Sequence, residues 1–221
     1  MISKFLNKSQ NIQYLEIQLC ENYVGDQGAM FIGTRLVEDC VNIRILEIGI
    51  SENNISLQGV ENLLININKL FNLTQLDISL SANNIGDEGA QMVGIKLGQC
   101  SAISFLQIGL EDCNIGDQGI FSLIKGLRNC ETLTILQTNN ITDIRASYFA
   151  TEIVKYAKLT KLKIYLQFNQ ITEVGESSLA IGFSQIQSLL LLDIELKKPQ
   201  QTVKTFELLK FHSCNNFKKI L

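Results

Sequence analysis

The chain has 221 residues, a formal net charge of −3, 46% hydrophobic residues, one proline and no tryptophan, with a sequence pI near 5.3 and a mean hydropathy of +0.14. An acidic balance argues against general nucleic-acid binding, which needs a basic footprint. The longest aliphatic run, Leu189 to Leu192, falls far short of the ~20 residues a membrane helix needs, and MISKFLNKSQ holds no apolar run fit for a signal peptide. No membrane role is expected, and the setting should be intracellular.

Met1 to Gln10 reads as the tail of a helix whose Phe5 and Leu6 pack on the next segment of chain. From there one pattern recurs, clearest in LTQLDISLSANNIGDEGAQMVGIKLGQC over residues 73–100. Its first half alternates apolar residues at 73, 76, 78 and 80, as a strand does. Its second half, after a turn at Gly86-Asp87-Glu88-Gly89, places Ala90, Val93, Leu97 and Cys100 at helical spacing. Neither apolar face can be buried within one such unit, so neighbours of the same kind are required. The units fall at about 12–42, 43–72, 73–102, 103–132, 133–158, 159–188 and 189–216, with partial repeats at both ends. Val24, Ile55, Ile85, Ile115, Ile141 and Ile171 step through them by 31, 30, 30, 26 and 30. A fixed period in this range marks a solenoid, one continuous stack that forms a single domain over 1–221. The short fifth unit, read with Leu133 and Leu136 as its first two strand leucines, is the irregular one. After Lys197-Lys198-Pro199 a helix is expected over about 202–213, and Phe217 to Leu221 begins another strand.

Leu73, Leu76, Ile78, Asn83 and Ile85, with Ile103, Leu106, Ile108, Cys113 and Ile115, resemble the core of the leucine-rich repeat family, and the I-G-D-x-G turns at 85–89 and 115–119 resemble its ribonuclease-inhibitor-like class. The resemblance implies an α/β solenoid, a horseshoe with a parallel concave sheet and helices on the convex face. It also implies a protein-binding role as inhibitor, adaptor or assembly platform. One departure recurs. Two extra residues separate the second strand leucine from the Asn, adding Leu80, Leu110 and Leu166, which should lengthen the strand.

Polar residues inside the repeat have structural readings. Asn22, Asn53, Asn83, Asn139 and Asn169, with Cys113 in the same place, should form an internal ladder bonded to turn backbone that the sheet cannot pair. Asp26, Asp87, Asp117 and Asp143 precede helices, where a carboxylate suits the orphan N–H groups of its own helix. Cys40, Cys100 and Cys130 end repeat helices where other copies carry Leu70, Tyr156 and Ile186, so they read as apolar fillers. No C-x-x-C pair occurs and His212 is the sole histidine, which argues against a zinc site and for a reducing compartment.

Residues between the strand leucines should face solvent on the concave side. One row is Glu16, Glu47, Asp77, Gln107, Gln137, Lys163 and Asp193. The other is Gln18, Gly49, Ser79, Gly109, Tyr165 and Glu195. Glu21, Glu52, Glu111 and Asp112 lie beside them. Residues 1–154 hold 9 basic against 17 acidic side chains, net −8, and residues 155–221 hold 10 against 5, net +5. That asymmetry points to a basic protein partner on the early repeats and to head-to-tail self-association. Lys163, Tyr165, Gln167 and Phe168 change the character of the sixth repeat, and the two aromatics read as an anchor for a partner.

No triad, phosphate loop, H-E-x-x-H or calcium loop appears, and a lone histidine cannot serve a Ser-His or Cys-His pair within the array. The expected function is therefore a non-catalytic, cofactor-free scaffold or adaptor using the concave face, in a cytoplasmic or cytoskeleton-associated setting. The alternative implied by the resemblance is a GTPase-activating regulator similar to the Ran GTPase-activating protein, or a component of a cytoskeletal or kinase-linked assembly.

Overall fold

The structure, a computed structural model, describes residues 11–128, 132–136, 141–166 and 169–196. The readings made on residues 1–10, on the 202–213 helix and on the 217–221 strand lie outside them. Seven five-residue strands, β1 (Tyr14–Gln18), β2 (Ile45–Gly49), β3 (Gln75–Ser79), β4 (Phe105–Gly109), β5 (Thr132–Leu136), β6 (Lys161–Tyr165) and β7 (Leu191–Glu195), lie side by side in chain order. Every neighbouring pair is parallel. Between them run α1 (Gly25–Asp39), α2 (Leu57–Leu63), α3 (Gly86–Gly98), α4 (Asp117–Gly126), α5 (Asp143–Ile153) and α6 (Glu173–Ser184). The chain is an α/β solenoid.

The alternation decides which way each strand faces. Leu46, Ile48, Leu76, Ile78, Leu106, Ile108, Leu162 and Ile164 are buried, and they share one core with the inner faces of the helices, such as Ala90, Val93 and Leu97 of α3. The residues between them look out on the other side of the sheet. Leu80, Leu110 and Leu166 are also buried, but they do not lengthen the strands. Lateral bonding continues past β3, from Leu80 N–H to Gly109 O at 2.8 Å and from Ala82 N–H to Glu111 O at 2.6 Å. At Ala82 the backbone turns left-handed, with φ +53°, as it does at Glu21, Glu52 and Asp112. The extra residues make a bend, not a longer strand.

The fifth repeat differs from its expected register. Leu133 pairs with Leu106, Thr134 with Gln107 and Ile135 with Ile108. The second-leucine place therefore belongs to Leu133 and not to Leu136. Strand starts at 75, 105, 132 and 161 show where the repeat is short: three residues are lost on the return from α4 and one after β5. Leu133 and Leu136 repeat the three-residue spacing of Ile103 and Leu106, which suggests the other register, whereas Ile135, two residues from Leu133, carries the alternation that the ladder follows.

The helices do not pack evenly. A Cβ on Gly33 would lie 2.4 Å from the Asn62 and Leu63 carbonyl oxygens, one on Gly98 2.2 Å from Gly126 O, and one on Gly182 2.5 Å from the Ala150 Cβ. These small residues let α1 approach α2, α3 approach α4, and α5 approach α6 nearly backbone to backbone. Where Gly33 and Gly94 stand in two repeats, the next repeats carry Leu64 and Ile124, both buried. The α2–α3 and α4–α5 contacts are correspondingly sparser.

Candidate functional site

Three columns of ladder positions cross the open face of the sheet. The middle one aligns Glu16, Glu47, Asp77, Gln107, Thr134, Lys163 and Asp193. Thr134 takes the place expected for Gln137, because the fifth strand is shifted, and Gln137 lies outside the described residues. The next aligns Gln18, Gly49, Ser79, Gly109, Leu136, Tyr165 and Glu195. The third column, on the other side of the carboxylates, is Tyr14, Ile45, Gln75, Phe105, Thr132, Lys161 and Leu191. Sequence reasoning missed it, since Ile45, Phe105 and Leu191 resemble core residues. The parity they share with Glu16 and Gln18 was the available signal.

Along β1, Glu16 accepts from Tyr14 Oη at 3.1 Å and from Gln18 Nε2 at 3.4 Å. Across the strands Glu16, Glu47 and Asp77 stand in line, so like charges repel at neighbouring ladder positions. The Asp77 carboxyl is raised above its ordinary range, first by burial and then by Glu47. Glu16, and after it Glu47, likewise pushes the Tyr14 phenol upward. The middle of the next column is nearly flat. Gly49 and Gly109 are buried, and Ser79 Oγ and Ser51 Oγ share a 2.7 Å hydrogen bond. Tyr165 is half-buried, and its hydroxyl is raised by burial and by Asp193 and Glu195. Lys163 is half-buried beside Asp193, while Gln167 and Phe168 lie outside the described residues.

The Asn positions lie behind the turn at the strand ends. Asn83 Oδ1 accepts from the Asn53 and Ile55 N–H groups at 3.1 and 2.9 Å, and its Nδ2 donates to Ile50 O and Leu80 O at 3.0 and 2.8 Å. Asn53 Oδ1 takes the Val24 N–H in the same way, and Asn169 Oδ1 takes that of Ile141. The Cys113 thiol donates to Leu80 O at 3.1 Å. Asn22 is exposed but bonds its own turn, with Nδ2 2.7 Å from Cys20 O. Asn139 lies outside the described residues.

The aspartates act differently from expectation. Their carboxylates are bonded to the following repeat. Asp26 takes the Ser56 N–H and hydroxyl, Asp87 the Gly116 N–H, Asp117 the Thr142 N–H and hydroxyl, and Asp143 those of Thr172 plus the Gly175 N–H. The stack sets each carboxylate against its neighbour's helix start, where the orphan donors of that helix are satisfied. The Thr172 bonds hold the Asp143 carboxyl below its ordinary range.

Cys20, Cys40, Cys100 and Cys113 are free thiols. Among the described residues no group of three or more His, Cys, Asp or Glu is placed to hold a metal ion, and no helix is long and apolar enough to cross a membrane. An apolar void of about 10 Å³, lined by Ile120, Phe149, Ile164 and Leu179 among others, is too small for a ligand.

The family model described as Leucine Rich repeat matches residues 69–94. The chain is similar to a solved structure of the leiomodin-1 actin-binding site 2, with 11% identity, a TM-score of 0.43, and coverage of 84% of this chain and 86% of that one. It is also similar to internalin C2 of Listeria monocytogenes, with 16% identity, a TM-score of 0.33, and coverage of 83% and 80%. No curated protein matches it. The matched residues run from the end of one repeat through β3 into α3, so this stretch is a leucine-rich repeat, and the same strand–turn–helix unit is stacked along the sheet.

Proposed function

We propose that the protein is a non-catalytic interaction scaffold of the ribonuclease-inhibitor-like class, a single repeat domain whose concave face takes a protein partner. The observation that supports this most directly is the juxtaposition on β1 to β4 of an apolar column (Tyr14, Ile45, Phe105) with an acidic one (Glu16, Glu47, Asp77). An extended basic segment with apolar side chains at alternate positions complements both. The rim adds to the charge. Glu21, Glu52 and Asp112 are exposed acids in the left-handed conformation that glycine adopts more easily, so the acid at each place is not explained by backbone geometry.

Lys163, Tyr165 and Asp193 give the far end of the face a mixed character, and Tyr165 there, with Phe168, which lies outside the described residues, is the proposed aromatic anchor. The same polarity, with residues 1–154 at net −8 and residues 155–221 at net +5, supports salt-sensitive head-to-tail self-association. The reading places the protein in a reducing, cytoplasmic compartment, with a cytoskeletal assembly as one setting for such a scaffold.

Affinity capture from lysate tests this, using the full chain, Tyr14→Ala with Phe105→Ala, Glu47→Lys with Asp77→Lys, and Tyr165→Ala with Phe168→Ala. The first two pairs should each lose the same basic partner, and capture by wild type should fall as salt rises. Equal capture by all variants would sink the concave-face reading. Stimulated GTP hydrolysis by a small GTPase would replace it with a catalytic regulator. Light scattering that stays monomeric at high concentration and low salt would remove self-association.

A further inference from the structure

We infer that the furrow between α4 and α5, on the helical side of the sheet, is a second docking surface that takes an acidic segment of another protein, with apolar residues between its carboxylates. Ile124 stands where Gly33 and Gly94 permit close helix approach in other repeats, the α4–α5 contact is sparser, and its rim is aromatic. The Phe121 and Tyr148 rings meet edge to face at 6.1 Å. Ile144, 66% exposed, and Tyr148, 48% exposed, leave apolar surface open beside them.

Each ring carries a cation. Lys125 Nζ stands 6.0 Å from the Phe121 centroid and Arg145 Cζ 5.2 Å from that of Tyr148. Arg145 is an exception to the repeat, because Gly59, Gly119 and Gly175 hold the corresponding place elsewhere, close under the preceding repeat's Asp. Its one nearby carboxylate among the described residues is Asp117, with Nε 3.8 Å from Oδ2, and that carboxylate is already engaged by the Thr142 N–H and hydroxyl. Lys125 has no carboxylate within 4.0 Å among the described residues. Two cations held over rings, with apolar surface between them, within residues 1–154, which are net negative, complement carboxylates spaced by apolar side chains. The surface needs nothing from the concave face.

Fluorescence anisotropy with the full chain tests it, using three fluorescein-labelled probes: a peptide alternating Glu and Leu, the same peptide with Lys for Glu, and a single-stranded oligonucleotide. The Glu–Leu peptide should bind in a salt-sensitive manner, and Lys125→Glu, Tyr148→Ala and Ile144→Ser should each weaken it at least ~10-fold without changing the melting temperature. Tyr14→Ala on the concave face should leave it unchanged. The inference is overturned if the oligonucleotide binds as tightly, if the Lys peptide binds as tightly and loses affinity in the furrow variants, or if those variants bind the Glu–Leu peptide like wild type. It is equally overturned if Tyr14→Ala weakens binding to the same extent.

Discussion

Ser56 Oγ donates a 2.6 Å hydrogen bond to Asp26 Oδ2, thirty residues back in the chain and one repeat back in the stack. The Ser56 hydroxyl also accepts from Gln58 N–H and caps α2, so one side chain ties a helix to its own start and to its neighbour. Gly59 sits directly beneath. A Cβ there would lie 2.3 Å from Asp26 Oδ1 and 2.6 Å from Ile55 Cγ2. Gly→Ala inside a helix ordinarily gains ~1 kcal/mol, but here the clash wins. We predict that Gly59→Ala destabilises by about 1–3 kcal/mol in a denaturant melt. Asp26→Ala combined with it should lose less than the sum of the two single changes. A higher unfolding midpoint for Gly59→Ala would refute this.

The Asn83 amide is joined to backbone groups of two repeats. Asn83→Ala leaves buried N–H and carbonyl groups unpaired and should destabilise by about 1–3 kcal/mol. Asn22→Ala, made at an exposed rung, should be much milder. Equal effects at the two sites would show that burial does not govern the ladder.

Asp77 separates stability from binding. Its carboxyl is raised by burial and by Glu47, so the folded state favours the protonated form more than the unfolded state does. The contribution is complete below the unfolded carboxylate range and is lost as pH rises through the folded one. Asp77→Asn should therefore raise the melting temperature at pH 7, with a gain that vanishes in acid. The same change should weaken capture of a basic partner. A melting temperature that falls at pH 7 would contradict the sign.

Burial pushes the Cys100 and Cys113 thiols up to about 11. Both stay protonated in the fold while the unfolded chain ionises from about 9, so their contribution is lost between pH 9 and 11. Melting temperature should drop across that window, and less steeply in Cys113→Ala. At pH 8, peptide-resolved alkylation should label Cys20, which is exposed, well before Cys40, Cys100 and Cys113. Labelling of Cys113 as fast as Cys20 would show that the site opens.

Much of this fold can be read directly from the apolar spacing. Leu76 and Ile78 announce a strand buried on one side, and Ala90, Val93 and Leu97 a helix resting on it. Neither the role of Asp26 nor the register of β5 can be read that way. A carboxylate at a helix start has the same sequence position whether it bonds its own helix or the next one, and only stacking distance decides. Leu133 and Leu136 copy the three-residue spacing of Ile103 and Leu106, so the repeat spacing points to one register and the ladder pairing to another, and the ladder decides. On the open face the carboxylates were visible because a charge between leucines has one natural side. Ile45 and Phe105 were not, because an apolar residue suits either side until its parity is checked.

The glycines at 33, 94, 98, 126 and 182 bring neighbouring helices together two at a time. The natural brick of this wall is thus a doublet of about sixty residues, joined tightly within itself and more loosely to the next. Unzipping should begin at the seams ahead of α3 and α5, and a gene lengthened or shortened by whole doublets would keep every tight joint intact.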